Sequence, residues 1–556
     1  MRLSDLESYG LPTRVLEVWR ERHGEVLLPV QQKAVRKGLL DSPESPKGRR
    51  NLVIAAPTSS GKSFCGEMAA LKAVANRRRV VWLTPLRSLA EELFRLFQTS
   101  YGPLGISCLI ASGDHPENDR AFLEGDYHVV IAIYEKFDQN LTSRLDSLRD
   151  LAVIVIDELQ MVADPSRGVV LERVLTKILG SVYRPNLLGL SAVIGDEGAR
   201  QLADWLDAEI VEETSRPIEL VRGVAAAGSW RYREYNSGNE GSLPFPEVRC
   251  GDDPVTAFID LLKAEPGSVL VFMKSRRDTV NLAFRLAASV GWPPAQAALD
   301  ELASEEPSYL TRSLQQALSR GVAFHNADLS NEQRLIVEKA FREKAVKVLF
   351  STTTLSLGVN LPADTVYLET VKYVSGVYPG PASLEPISRS EFDNMTGRAG
   401  RLGSSEGHAG KAILLADNEF ERDILWNQYI AERANQPLKS YLQNAALEDW
   451  VLHMVTCGLA TTRTDLDRLI RITLSFADGS VDTDSVHRAV DRLLNAGLLE
   501  EEKLLTRLLS SYAGSAAAKS GLSCREAAYF TGALKSERPR TAFGWTALAL
   551  SSPCWV

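Results

Sequence analysis

Three short stretches carry side chains whose types and spacing could do chemistry together. The first is Ala56-Pro57-Thr58-Ser59-Ser60-Gly61-Lys62-Ser63, which follows the apolar run Leu52–Ala55 and precedes a helical pattern bearing Cys65, Met68 and Ala69. Strand, loop, helix is the setting of a Walker A loop, here with Ala56 where the usual first glycine stands. Gly61 lets the backbone approach a phosphate, and the amides and dipole of the helix start favour negative charge there. In that loop Thr58, Ser59 and Ser60 line the turn, Lys62 faces the β- and γ-phosphates, and Ser63 offers an oxygen to Mg²⁺.

The second stretch is the apolar run Ala152–Ile156, ending in Asp157-Glu158-Leu159-Gln160. Two acids at the carboxyl end of a buried strand are costly unless they serve an ion. Asp157 is suited to hold Mg²⁺ and Glu158 to polarise an attacking water. The third is Thr396-Gly397-Arg398-Ala399-Gly400-Arg401. Two arginines three residues apart share a face at a helix start. Across a cleft from Lys62 they would neutralise charge that develops on a transferred phosphoryl group, so that ATP hydrolysis would require the cleft to close.

Such residues need rigid strand ends to hold them. Candidate buried strands are Asn51–Ala56, Val80–Thr84, Cys108–Ser112, Val129–Ile133, Ala152–Asp157 and Leu187–Ser191, then Val269–Met273, Val322–His325, Val346–Ser351, Thr365–Glu369 and Ala412–Leu415. Short β-branched runs alternating with helical stretches predict two doubly wound α/β domains in tandem, over 1–222 and 255–420. Residues 223–254, rich in Gly, Ser, Pro and Asn, read as a linker with one short strand pair. Residues 371–390 hold two β-prone arms around Pro379-Gly380-Pro381, a hairpin pattern. From 421 the chain reads as helical. Thr483–Ser485 offer N-caps, Val486, Val490, Leu493 and Leu494 form an apolar face, Gly497 is a stop, and Leu498–Leu499 begin a wing strand.

Across 556 residues, 63 Lys and Arg against 71 Asp and Glu give a net charge of −8. Any nucleic-acid contact therefore sits in a local groove. Basic runs at Lys47–Arg50, Arg77–Arg79 and Lys274–Arg277 read mainly as solvated surface. The apolar runs are too short to span a membrane, and the start MRLSDLESYG lacks a signal-peptide pattern. Cys65, Cys108, Cys250, Cys457, Cys524 and Cys554 form no CxxC pair, which argues against a zinc site and fits a reducing, cytoplasmic setting.

Together the motifs resemble superfamily 2 DExH helicases of the Ski2-like branch, most of all the polymerase-theta-type archaeal repair helicases. Leu28-Pro29-Val30-Gln31 is similar to an adenine-reading Q motif, with Gln31 as the reader. Thr84–Leu89 resembles motif Ia, Ser112-Gly113-Asp114 the contact loop after it, and Tyr134-Glu135-Lys136 motif Ib. Asp164–Gly168 with Glu172 matches a stretch typical of the branch, Leu190-Ser191-Ala192 motif III, and Arg216-Pro217 the end of the first domain. Thr352–Pro362 matches motif V and the segment at Gly397–Arg401 motif VI.

The resemblance implies two RecA-like domains and a winged-helix domain over 421–512, then a short ratchet-like helical segment over 513–556. The winged-helix domain would act as a buttress between the second domain and that C-terminal segment. The resemblance also implies an ATP- and Mg²⁺-dependent enzyme moving 3′ to 5′ on single-stranded nucleic acid, with DNA favoured over RNA. Lys62, Asp157, Glu158, Gln160, Arg398 and Arg401 would act on ATP, which Gly358 would also contact. Pro85, Arg87, Ser112, Gly113, Tyr134, Lys136, Thr352, Thr354 and Asn360 would hold the strand, and Tyr373 or Tyr378 on the hairpin would stack on the last base pair. Two other readings share these motifs: an ATP-switched nucleic-acid-binding subunit of a repair or defence complex that does not unwind processively, and an RNA helicase. The end Phe543–Leu550 is compatible with a docking surface for a protein partner.

The chain departs from the family pattern at Gln160 in place of His, Val193 in place of Thr, Ala132 and Ile133 in place of two threonines, Asn394 in place of Gln, and Asn326 and Asp328 in a His-Ala-Gly turn. The hydrolytic set is intact and the coupling set altered. ATP hydrolysis is expected to survive while strand separation is weaker or gated by a partner. Val193→Thr should then raise the unwinding rate of a 3′-tailed duplex per ATP hydrolysed, measured by strand displacement. Equal rates for the two proteins would count against a coupling defect.

Overall fold

The computed structural model of the chain describes residues 1–41, 51–192, 196–246, 253–352, 361–374, 383–400, 409–431, 437–502 and 506–536. The β-branched runs build two large sheets. The first comprises β1 (Asn51–Ala55), β2 (Arg79–Thr84), β3 (Cys108–Ala111), β4 (Val129–Ile133), β5 (Leu151–Ile156), β6 (Asn186–Ser191) and β7 (Ala208–Glu212). Its order is β3-β4-β2-β5-β6-β1-β7, and every pairing is parallel. β4 is buried throughout and β5 at every position but Ala152, which is why these runs show no alternation. Parallel strands bring their carboxyl ends to one edge, where an open α/β sheet places its ligands.

The second sheet comprises β8 (Leu220–Ala226), β9 (Ser229–Glu234), β10 (Glu240–Pro244), β11 (Val269–Met273), β12 (Val322–His325), β13 (Val348–Thr352), β14 (Thr365–Leu368) and, after the hairpin β15 (Val371–Val374) and β16 (Ser383–Pro386), β17 (Gly410–Leu415). Its order is β10-β9-β8-β17-β14-β11-β13-β12. Both sheets match the predicted α/β class. Most of the stretch read as a linker instead extends this sheet: β8, β9 and β10 pair antiparallel, and β8 runs parallel to β17. The Gly-rich texture belongs to a tight turn there, since Ala227 and Gly228 both have positive φ (48° and 74°), as a two-residue hairpin turn requires.

Beyond the second sheet stand the helices Ala445–Thr456, Arg463–Ile470 and Thr483–Asn495, followed by the wing β18 (Leu499–Glu502) and β19 (Arg507–Ser510). Asp482, one residue before the predicted caps, accepts the Ser485 amide at 2.7 Å, and Gly497 is left-handed just past the helix end. This winged-helix region leans on the first sheet's helices. The Trp205 indole donates to the Ile472 carbonyl at 2.9 Å. Glu172, fully buried, accepts from the Ser440 hydroxyl and the Ser475 amide at 2.5 and 2.7 Å, which gives the branch-typical glutamate a structural purpose.

Next to Glu172 lies a buried charge cluster. Asp138 meets Arg173 and Lys177 at 2.7 Å each, and the Lys177 ammonium also donates to Thr142 and to the His453 Nδ1. Burial would raise the Asp138 carboxyl, but Arg173 and Lys177 hold it well below the usual carboxylate range. The same burial, with Arg173 adding, keeps His453 neutral, so its ring nitrogen can accept from Lys177. Removing the one carboxylate strands two buried cations. Asp138→Asn should therefore cost roughly 3–5 kcal/mol in denaturant unfolding. Asp491→Asn, at the exposed pair with Arg463, should cost about 0–1 kcal/mol.

Candidate functional site

The loop after β1 is shaped by its neighbours. Gly61 has φ +89°, and a Cβ there would lie 2.4 Å from the Gln31 side-chain nitrogen. Gln31, buried, donates to the Gly61 carbonyl at 3.2 Å and accepts from the Leu28 amide at 2.8 Å. It thus ties the N-terminal segment to the loop. Lys62 Nζ donates to the Ala56 and Pro57 carbonyls at 2.7 and 3.2 Å, which holds it over the loop. The hydroxyl oxygens of Ser59 and Ser60 are buried without a hydrogen-bond partner, and Ser63 is exposed. Orphaned hydroxyls beside a fixed ammonium and a glycine with no room for a side chain fit a phosphate chain.

At the end of β5, the Asp157 amide still donates to the Leu83 carbonyl at 2.9 Å, and there the chain leaves the ladder. Glu158 follows in the left-handed region, at φ 53° and ψ 49°, a strained conformation for a non-glycine residue. Burial, with the Glu158 charge adding and Lys62 opposing, pushes the Asp157 carboxyl up. The Gln160 side chain bridges two motifs: its nitrogen donates to Glu158, and its oxygen accepts from the Ser191 hydroxyl at 2.8 Å and the Ala192 amide at 3.2 Å. Val193 lies outside the described residues. Among the described residues no cluster of three or more His, Cys, Asp or Glu could hold a metal by itself. Asp157 and Ser63, together with phosphate oxygens, fit the few protein ligands that Mg²⁺ usually takes.

The third motif meets the first across the two sheets. Thr58 donates to the Gly397 carbonyl at 3.3 Å, and a Cβ on Gly397 would lie 2.1 Å from the Thr58 hydroxyl. Arg216, buried, donates to the Ala399 carbonyl at 2.8 Å and locks the segment from the first domain's end. Arg398 is buried beside this contact. Arg401, Gly358, Thr354, Asn360 and Tyr378 lie outside the described residues, as do Lys47–Arg50 and the C-terminal docking stretch.

The expected strand contacts divide. Arg87, exposed, pairs with Asp114 at 2.7 Å, and Gly113 lies against its guanidinium, so motif Ia and the next loop form one surface. Pro85, Ser112 and Thr352 are buried at the ends of β2, β3 and β13. Lys136 is paired with Asp119 at 2.7 Å. Tyr134 is the clearest departure: it is fully buried, and its hydroxyl donates to the Asp157 carbonyl at 2.6 Å, so the ring does not face a nucleic-acid strand. β15 and β16 pair as the expected hairpin, with Tyr373 exposed opposite Leu384. Lys274 and Arg276 pair with Glu369 and Asp328, as solvated surface charges do. Sequence reasoning missed the Asp138 cluster, which no motif marks, and the partner of Thr58.

Residues 28–202 match the DEAD/DEAH box helicase family, and residues 253–403 match the helicase conserved C-terminal domain. The chain is 34% identical to the ATP-dependent DNA helicase Hel308 of Pyrobaculum calidifontis, over 90% of this chain and 68% of that protein. It is 31% identical to Hel308 of Methanocella arvoryzae over 91% of this chain and 65% of that protein. With Hel308 of Pyrococcus abyssi the figures are 33%, 80% and 58%. The chain therefore spans roughly 58–68% of the length of these relatives. Among the described residues no helix is long and apolar enough to cross a membrane. With the Walker loop, the acid turn and the arginine segment meeting across one parallel and one mostly parallel sheet, the chain belongs to the superfamily 2 helicases of the Ski2-like branch, in the Hel308 and polymerase-theta group of ATP-dependent DNA helicases.

Proposed function

We propose that the chain is the motor of a DNA helicase that hydrolyses ATP with Mg²⁺, steps 3′ to 5′ along single-stranded DNA and separates tailed or forked duplexes in the cytoplasm. The observation that carries this reading is the meeting of Thr58 with Gly397, which brings the arginine segment onto the phosphate loop. Lys62 and the loop hydroxyls bind and orient the phosphates, Gln31 sits beside the loop as the base reader, and Arg398 with Arg401 neutralises charge as hydrolysis proceeds. Glu158 takes the proton of the attacking water, held in place by Gln160. Ser63 and Asp157 would hold Mg²⁺, which would supply charge neutralisation. Motion of the second sheet against the first is then tied to each turnover.

The direct link from Glu158 through Gln160 to Ser191 supports a motor over a passive ATP-switched clamp, because the altered coupling residue still spans both motifs. DNA is favoured over RNA by the Hel308 relatives, which are named as DNA helicases. The strand would run over Arg87 and Gly113 in the first domain and over the Thr352–Asn360 segment in the second. Tyr373 on the hairpin would meet the duplex. The apolar end Phe543–Leu550 would receive a protein partner.

ATP turnover measured with and without single-stranded DNA tests the reading. Glu158→Gln should lower kcat by about 10²–10⁴-fold with KM for ATP little changed, because the change removes the proton acceptor and keeps the shape. Turnover that ignores added DNA, or an active Glu158→Gln protein, would sink it. Arg87→Ala should weaken single-stranded DNA binding and reduce the slope of log Kd against log salt by about 1, as loss of one phosphate contact does. Fluorescence anisotropy at several salt concentrations reads both effects.

A further inference from the structure

The buried tyrosine at the head of the helix Tyr134–Ser143 is tied to the acids and not to the surface. Its hydroxyl donates to the Asp157 carbonyl at 2.6 Å. That carbonyl belongs to the peptide unit joining Asp157 to Glu158. The other end of the unit, the Glu158 amide, donates to Asp157's own Oδ1 at 3.1 Å. Both polar ends are thus held by side chains at the point where the chain has left the sheet. The orientation of this peptide sets the left-handed φ of 53° at Glu158, and hence where the Glu158 carboxylate points. A left-handed non-glycine residue persists only where its surroundings over-determine it.

The helix that carries Tyr134 is itself anchored along its length. Four residues along, Asp138 is fixed by Arg173 and Lys177, and at its last turn Thr142 bonds the His453 ring at 2.9 Å. Ten residues of helix form a rod about 15 Å long. One end is anchored in the buried charge cluster under the winged-helix region, and the other presses a hydroxyl on the acid turn.

We infer that Tyr134 is a positioning residue for ATP hydrolysis: its hydroxyl locks the Asp157–Glu158 peptide so that Glu158 faces the attacking water. The inference rests on the role proposed above for Glu158. It gives motif Ib in this chain an inward task, distinct from the strand contact that the resemblance implied.

Tyr134→Phe removes only the hydroxyl. In the full chain, with a single-stranded oligothymidylate as activator, kcat should fall roughly 10–100-fold, as a displaced general base would give. KM for ATP and Kd for the oligonucleotide should stay within about twofold. Binding of a fluorescent ADP analogue counts the folded sites, so kcat is expressed per competent molecule and a folding loss cannot imitate the effect. Glu158→Gln is run alongside. If it is inactive while Tyr134→Phe keeps kcat within about threefold of the parent, the positioning inference is overturned and the motor reading stands. If Tyr134→Phe keeps kcat and loses oligonucleotide affinity tenfold or more, the residue is a strand contact and the inference is wrong. An active Glu158→Gln protein would overturn the motor reading itself.

Discussion

The structure turns on one close approach. A nucleotide shared between two α/β sheets requires their strand-end loops to come within hydrogen-bond distance, and side chains normally keep loops farther apart. Gly397 removes that obstacle. Its backbone is in an ordinary helical conformation, so the glycine serves space and not φ: any Cβ would strike the Thr58 hydroxyl. With the gap closed, Thr58 bonds the Gly397 carbonyl, Arg216 grips the carbonyl two residues on, and Arg398 follows from the chain direction. Larger side chains at Gly397 would separate the arginine segment from Lys62 without touching either charge.

Around this contact, buried polar clusters decide what can move. The helix Lys62–Ala75 begins in the phosphate loop and is held from outside by the N-terminal segment. Glu67 accepts from Arg22 at 2.7 Å and from the Tyr101 hydroxyl, which in turn accepts from the Trp19 indole at 2.9 Å. On the opposite side, Asp138 and Glu172 fasten the winged-helix region to the first sheet's helices. Such clusters are expensive to break because each partner left behind is a buried, unpaired group. The first sheet, its N-terminal cover and the winged-helix region therefore form one firmly joined body. The second sheet meets that body at the nucleotide loop through the main-chain carbonyls of Gly397 and Ala399.

The α/β class and most strand positions were legible because buried parallel strands are written as unbroken apolar runs, as in Leu151–Ile156, and because the Walker loop is local in sequence. The antiparallel edge at β8–β10 was not. Its outer strand is mostly exposed, so it carries no apolar run, and its turn residues imitate a linker. Tyr134 was assigned to the groove because a motif shows which residues stand together and not which way a ring faces. Burial decides that, and it depends on Asp157, 23 positions later. The side on which the winged-helix region docks was equally invisible. Asp138, Arg173, Lys177 and His453 look like ordinary surface residues until the fold brings them together.

Gln160 shows how a departure from a family pattern can preserve a connection. The Ala192 amide can only donate, so the Gln160 atom facing it is the carbonyl oxygen, and the amide nitrogen is thereby turned toward Glu158. One side chain reads motif III with its acceptor and restrains Glu158 with its donor. A histidine doing both would need a particular tautomer and would change charge near neutral pH, whereas an amide keeps its donor and acceptor at every pH the fold survives. The substitution therefore fixes the link permanently in one polarity. Whatever coupling the chain has between Glu158 and Ser191 acts through movement of this bridge and not through its protonation.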